Sequence, residues 1–98
     1  MASYRLSRTA REDLSRIVAH LATDSIDVAV RQHRRFEQAF EIIARNPRAG
    51  EERNEISPDV RSFPVNTYSA LYHVRGGMAI VRIIPATRDL NDRLGDLI

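Results

Sequence analysis

The chain has 98 residues, 43% of them hydrophobic, and a formal net charge of +2, so we expect a single domain over residues 1–98 built on one hydrophobic core. It contains no cysteine, which excludes disulfides, thiolate metal sites and a cysteine nucleophile. It shows neither a signal-peptide pattern nor an apolar run of the roughly 20 residues that span a bilayer, so we expect a cytoplasmic protein without membrane association.

The first segment predicts a short strand followed by an amphipathic helix. Tyr4 and Leu6 alternate in the opening run, and Ser7 or Thr9 can cap the helix that follows. The solvent face of this helix is assigned residues that include Asp13. Its apolar stripe consists of Ala10, Leu14, Ile17, Val18 and Leu21.

A second amphipathic helix follows after a short turn, with Asp24 or Ser25 as its cap. Asn46 ends it, because Pro47 disfavours helical geometry in the preceding residue. Two helices with matching stripes and a short connection predict an antiparallel hairpin. The stripe of the second helix consists of Ala29, His33, Phe36, Phe40 and Ile43.

The second half of the sequence changes to the alternating period of strands. Residues 48–59 hold most of the local acid without periodicity and predict an exposed loop. Two strands then cover residues 61–65 and 68–75, with Pro64 at an edge or a bulge. Gly76 and Gly77 supply a tight hairpin turn.

The last predicted strand, residues 78–84, is apolar on both faces, which is typical of a central, covered strand. Simple alternation places Ile80, Arg82 and Ile84 on one face of it. Asp89 or Asn91 can cap a short final helix.

The order of elements is accompanied by local motifs that together resemble the ParE toxins of the RelE/ParE superfamily, small bacterial toxins also described as plasmid stabilisation proteins. The resemblance spans nearly the whole chain. The matching segments are residues 4–7 with Ala10, Asp13 and Leu14, then Ile43, Ala44, Asn46, Pro47 and Gly50, then residues 61–65 with Tyr68 and Tyr72, and finally residues 82–84 and 88–90.

This resemblance implies an α+β fold in which a strand, an antiparallel helical hairpin and a three-stranded antiparallel meander follow one another, with the sheet packed on the hairpin. It also implies the toxic component of a type II toxin-antitoxin system, neutralised by direct binding of a ParD-like antitoxin in a hetero-oligomer. ParE toxins act on DNA gyrase, which is the target we expect. The alternatives are a RelE-type, ribosome-dependent mRNA endonuclease and an inactive module that binds antitoxin.

The residues themselves argue against the nuclease. Such an enzyme needs arginines for the developing phosphorane charge and a side chain that transfers protons. Arg61 and Arg88 match arginines of RelE-type nucleases, but the chain contains no lysine, and neither tyrosine nor histidine follows Arg88. We therefore expect no catalytic residue and no cofactor, and we interpret Arg61, Arg82 and Arg88 as a target-binding surface.

An internal role competes with target binding for each of these arginines. For Arg82 we favour an ion pair with Asp89 or Glu55, because a half-buried arginine needs an anionic partner. For Arg61 and Arg88 both interpretations stay open.

The remaining candidates lie on the helices and among the histidines and tyrosines. The histidines lack metal-ligand spacing, so we expect no metal site. The tyrosines alternate on strands, which favours packing over base stacking. We assign antitoxin binding to the apolar face of the first helix and the basic patch of the second: Leu14, Ile17, Leu21, Arg31, Arg34 and Arg35. For the basic patch, contact with nucleic acid and a solvated helix face remain open alternatives.

Overall fold

The structure is a computed structural model that describes residues 4–74 and 76–86. The predicted final helix and Arg88 lie outside these residues, as does Asp89. Within them the chain forms two helices, α1 (Arg8–Asp24) and α2 (Ile26–Arg45). The strands are β1 (Arg5–Leu6), β2 (Glu51–Glu52), β3 (Val60–Val65), β4 (Tyr68–His73) and β5 (Ala79–Pro85).

Serine hydroxyls cap both helices. Ser7 accepts a hydrogen bond from the Ala10 backbone N–H at 3.0 Å, so the cap of α1 is Ser7 and not Thr9. Ser25 is the one residue between the helices, and its hydroxyl accepts from the Val28 N–H at 3.2 Å. This short connection makes a helical hairpin, and Asn46 ends α2 as predicted.

The five strands form one mixed sheet in the order β1-β5-β4-β3-β2. The meander of β3, β4 and β5 is antiparallel, as predicted, while β1 runs parallel to β5 and makes it an internal strand. The predicted exposed loop over residues 48–59 contains a two-residue strand that the sequence did not predict, because Glu51 and Glu52 pair with Ser62 and Arg61 of β3. Since β2 stops at this point, Pro64 lies where β3 has only one neighbour, as its missing N–H requires.

The two hairpin turns depend on residues with left-handed backbone conformation. Asn66, between β3 and β4, has a φ of 58°, and asparagine tolerates this region better than most residues. Gly76 and Gly77 have φ values of 68° and 104°, so the predicted glycine turn is confirmed.

The main core lies between the sheet and the hairpin. Phe36, Phe40 and Ile43 of α2 pack there with strand residues that include Tyr72 and Ile80. Their exposed fractions are 1% or less, so these residues of the predicted α2 stripe are buried as expected. Among the described residues, no helix is long and apolar enough to cross a membrane.

A bulge in β5 changes the predicted alternation. Leu71 pairs with Arg82 and Tyr72 with Ile80, so Val81 has no partner of its own in β4. Ile80 and Ile83 consequently both lie in the main core, whereas Ile84 joins Leu71 in a second, smaller cluster. The prediction that Ile80 and Ile84 share one face is therefore wrong.

Candidate functional site

Arg61 on β3 is held by the acidic segment next to it. Its guanidinium donates to the Gly50 carbonyl oxygen at 2.8 Å and to Glu52 Oε1 at 3.1 Å. The side chain is 23% exposed, and Glu52 is the residue that pairs with it across the two strands. The acidic segment of residues 48–59 therefore supplies the counter-charge of this arginine, through Glu52.

Arg53, just after β2, repeats this arrangement. Its Nε donates to Ser62 Oγ at 2.8 Å, and its terminal nitrogens lie 3.4 Å from Glu51 and 3.8 Å from Glu55. Glu55 is thus a partner of Arg53. The prediction that Glu55 pairs with Arg82 is wrong.

Arg82 on β5 is paired with a residue that the sequence interpretation placed in solvent. Asp13 of α1 is 1% exposed, and its Oδ2 accepts from Arg82 Nε at 2.8 Å and from the Ile83 backbone N–H at 2.9 Å. Arg16 adds a weaker contact at 3.4 Å. Arg82 therefore has the predicted internal ion pair, but with Asp13. The prediction that Asp13 faces solvent is wrong.

A signal for Asp13 was present in the sequence. Asp13 stands three positions after Ala10 and four before Ile17, which places it on the apolar side of α1. A carboxylate at a core-facing position must be hydrogen-bonded or paired with a cation. Arg82, the arginine on the predicted covered strand, is the cation that fits this requirement.

The structure does not unite the predicted target-binding arginines. Arg61 pairs with Tyr72 on one side of β4, while Arg82 pairs with Leu71 on the other side of the same strand. Each has its own carboxylate, Glu52 for one and Asp13 for the other. The two arginines therefore belong to separate internal networks, and Arg88 lies beyond the described residues.

Tyr72 joins the end of α2 to the sheet. Its hydroxyl donates to the Pro47 carbonyl oxygen at 2.6 Å and accepts from the Gly50 N–H at 2.8 Å, and its ring is fully buried. Burial raises the pKa of this hydroxyl above its ordinary value. A side chain at Gly50 would collide with the ring, since an added Cβ would lie 2.7 Å from it.

The other two tyrosines also pack as predicted. Tyr4 meets the Phe40 ring edge-on with centroids 5.4 Å apart, and Tyr68 lies 5.5 Å from Phe36. Burial and the nearby carboxylates of Glu41 and Glu37 raise the pKa of Tyr4. Within residues 4–74 and 76–86, no group of three His, Asp or Glu side chains could hold a metal ion.

The helical hairpin presents a groove between α1 and α2. It is lined by Arg11, Leu14, Ser15, Val18 and Ala19 from α1 and by His33 from α2. Near the turn of the hairpin, Ile26 and Val30 are exposed at 71% and 48%. Apolar side chains exposed side by side in this way mark a surface available to a partner.

The residues predicted to bind antitoxin fall on two surfaces. Leu14 lines the groove, and Ile17 packs partly against the main core. Leu21 is half-buried on the same helix. Arg31 and Arg35 stand two positions on either side of His33, which places them on the opposite side of α2 from the groove. Arg34 is exposed at the edge of that opposite side, three positions from Arg31.

Comparisons with known proteins place these features in a family. Residues 4–90 match the family model described as ParE toxin of type II toxin-antitoxin system, parDE. The chain belongs to this ParE toxin family. A relative, Toxin ParE3 of Caulobacter vibrioides, is 30% identical over 91 residues, which cover 91% of each chain.

A solved structure agrees with the fold of this ParE family member. A chain of the chromosomal ParDE TA system from P. aeruginosa superposes with a TM-score of 0.75 at 23% identity, covering 89% of this chain and 98% of that one. The expected α+β arrangement is thereby confirmed.

Proposed function

We propose that this ParE family toxin inhibits DNA gyrase in the cytoplasm and is neutralised by a ParD-like antitoxin that binds the helical hairpin. Its family is defined by toxins of parDE systems, and its relative from Caulobacter vibrioides is named as such a toxin. The similar solved structure is described as a ParDE TA system, which supports an antitoxin as partner.

The groove of the hairpin carries the antitoxin part of this proposal. Leu14, Val18 and Ala19 give it an apolar floor, and Arg11 and His33 give it a polar rim. An apolar groove on a helix pair fits the apolar face of an amphipathic helix, whose anchors recur at intervals of three and four residues. The exposed Ile26 and Val30 extend this apolar surface toward the turn.

The alternative, an mRNA endonuclease, requires free arginines and a proton-transfer group. The guanidiniums of Arg61 and Arg82 are already bound to Glu52 and Asp13. The hydroxyl of Tyr72, paired with Arg61 across the strands, both donates and accepts a hydrogen bond and is buried. These contacts support inhibition by binding over catalysis.

The test of the target uses the purified chain in two assays, gyrase supercoiling and cleavage of mRNA on the ribosome. We expect inhibition of supercoiling and intact mRNA. Cleaved mRNA with unaffected supercoiling would establish the RelE-type activity instead. Unimpaired growth on induction without the antitoxin, with neither assay positive, would identify an inactive antitoxin-binding module.

The test of the antitoxin surface compares two charge insertions. Val18→Glu places a carboxylate in the groove, and we expect it to weaken binding of the ParD-like antitoxin at least about tenfold, since a buried unpaired charge costs several kcal/mol. Val74→Glu is the control, because Val74 is 44% exposed and directly follows β4. Equal affinity of the two variants would contradict the proposed groove.

A further inference from the structure

The outer face of α2 is strongly basic. All arginines of this helix are exposed, and their spacings of three, four and fourteen residues from the first one place them on one side of it. They are Arg31, Arg34, Arg35 and Arg45.

These arginines differ from Arg53, Arg61 and Arg82, because those three are bound to carboxylates. In the described part of the chain, none of their guanidiniums has a carboxylate oxygen within 4.0 Å or a hydrogen bond to another residue.

Two carboxylates also lie on this face, Asp27 one turn before Arg31 and Glu41 one turn before Arg45, but neither comes within 4.0 Å of the arginines. Glu37 pairs with His33 at 3.2 Å. Four arginines against these two carboxylates leave the face with a net positive charge and with guanidiniums that have no ion-pair partner within these residues.

The length and chemistry of the face suit a linear polyanion. With a rise of 1.5 Å per residue, the arginines extend over about 21 Å of the helix. Guanidiniums bind phosphate oxygens through a planar fork of donors, and Gln38 adds a neutral donor in the middle of the same face. We propose that this face of α2 binds the phosphate backbone of double-stranded DNA.

Two features select a duplex over other anionic or helical partners. Single strands are held by stacking on exposed aromatic rings, but the aromatic residues of α2, Phe36 and Phe40, are buried in the core. A peptide helix needs apolar anchors at intervals of three and four residues, whereas the exposed Val28 and Ile42 stand at opposite ends of α2. Contacts to phosphates alone also predict binding without sequence preference.

The experiment measures binding of the purified chain to a fluorescein-labelled, mixed-sequence duplex of about 20 base pairs over a range of salt concentrations. For four phosphate contacts, we expect the logarithm of the affinity to fall with the logarithm of salt concentration with a slope of about −3.6. Arg31→Gln with Arg35→Gln should reduce the steepness of this slope by about 1.8. Replacing both by lysine should leave the slope near its original value.

The control variant carries Arg5→Gln with Arg8→Gln, which removes the same charge from exposed residues of β1 and α1. It should keep the slope of the unmodified chain. Loss of the slope in this control, or no duplex binding at low salt, would overturn the proposal. So would tighter binding of polyglutamate than of the duplex, since the face would then serve an acidic protein.

This measurement contains neither gyrase nor antitoxin. A chain that binds DNA but leaves supercoiling unaffected would refute the proposed function and leave this inference intact. A chain that inhibits supercoiling but does not bind the duplex would refute this inference and leave the proposed function intact.

Discussion

The arginines of the sheet and the arginines of α2 are the same side chain in two different settings. Arg61 and Arg82 are held by carboxylates and, in the first case, by a backbone oxygen. Arg31 and Arg35 are exposed and have no such partner within the described residues. The difference teaches that an arginine in a family motif is not thereby a recognition residue, because the fold itself uses the sheet arginines.

The largest expected effect comes from breaking the buried pair of the sheet. Asp13→Ala leaves Arg82 and the Ile83 N–H without their acceptor, so we expect it to lower the free energy of unfolding by about 3 kcal/mol or more. Urea denaturation measures this loss. Arg16→Gln is the control, because Arg16 is 70% exposed and should cost less than about 0.5 kcal/mol. Equal stability of the two variants would show that the pair is dispensable.

A second effect tests the anchor that supplies Arg61 with its acceptor. Tyr72→Phe removes the hydroxyl that holds Pro47 and Gly50, and it leaves a buried N–H and carbonyl unsatisfied. We expect a loss of about 2 kcal/mol in the free energy of unfolding, measured by thermal or urea denaturation. Tyr68→Phe serves as the control. A larger loss in the control would contradict the assigned role of Tyr72.

The same hydroxyl predicts a pH dependence. Burial raises the pKa of Tyr72 above the value near 10 that tyrosine has in an unfolded chain. Its contribution is therefore fully present below about pH 10 and is lost as the pH rises through the folded-state pKa. Stability measured across this range should fall less steeply in Tyr72→Phe than in the unmodified chain. A residual slope is expected from Tyr4, whose pKa is also raised. Identical slopes would refute the assignment.

The smallest effects set one arginine of each class side by side. Arg61→Gln should cost about 1 kcal/mol, because its hydrogen bond to Gly50 is only part-buried and its partner Glu52 is exposed. Arg35→Gln should change the free energy of unfolding by less than about 0.5 kcal/mol, as is usual for an unpaired surface residue. A destabilisation by Arg35→Gln as large as that by Arg61→Gln would erase the distinction between the two regions.

Much of the fold could be predicted because the relevant signals are local. The helical stripes, the proline after Asn46 and the paired glycines at 76 and 77 each act through backbone geometry. The strand at Glu51 and Glu52 could not be predicted, since two acidic residues carry no periodicity and their partners Ser62 and Arg61 are set by the register with β3. The bulge at Val81 likewise depends on the register between β4 and β5.

The candidate site was less accessible to prediction for a related reason. An arginine shows its charge in the sequence, but its partner is set by tertiary packing. Asp13 and Arg82 are joined by a contact between α1 and the far end of the chain. The apolar groove of the hairpin could be predicted from the stripes of the two helices. That Leu14 lies in the groove and Arg31 on the opposite side of α2 depends on how each helix is rotated about its own axis.

The carboxylate of Asp13 also affects how this sheet meets other molecules. β1 pairs with β5 only at Ala79 and Ile80, so among residues 4–74 and 76–86 no strand lies beside the rest of that edge. Asp13 takes the Ile83 N–H that an incoming strand would need for its ladder. Free strand edges promote aggregation between copies of a protein, and a side chain bound to the edge opposes it. The substitution of Asp13 should therefore reduce solubility as well as stability.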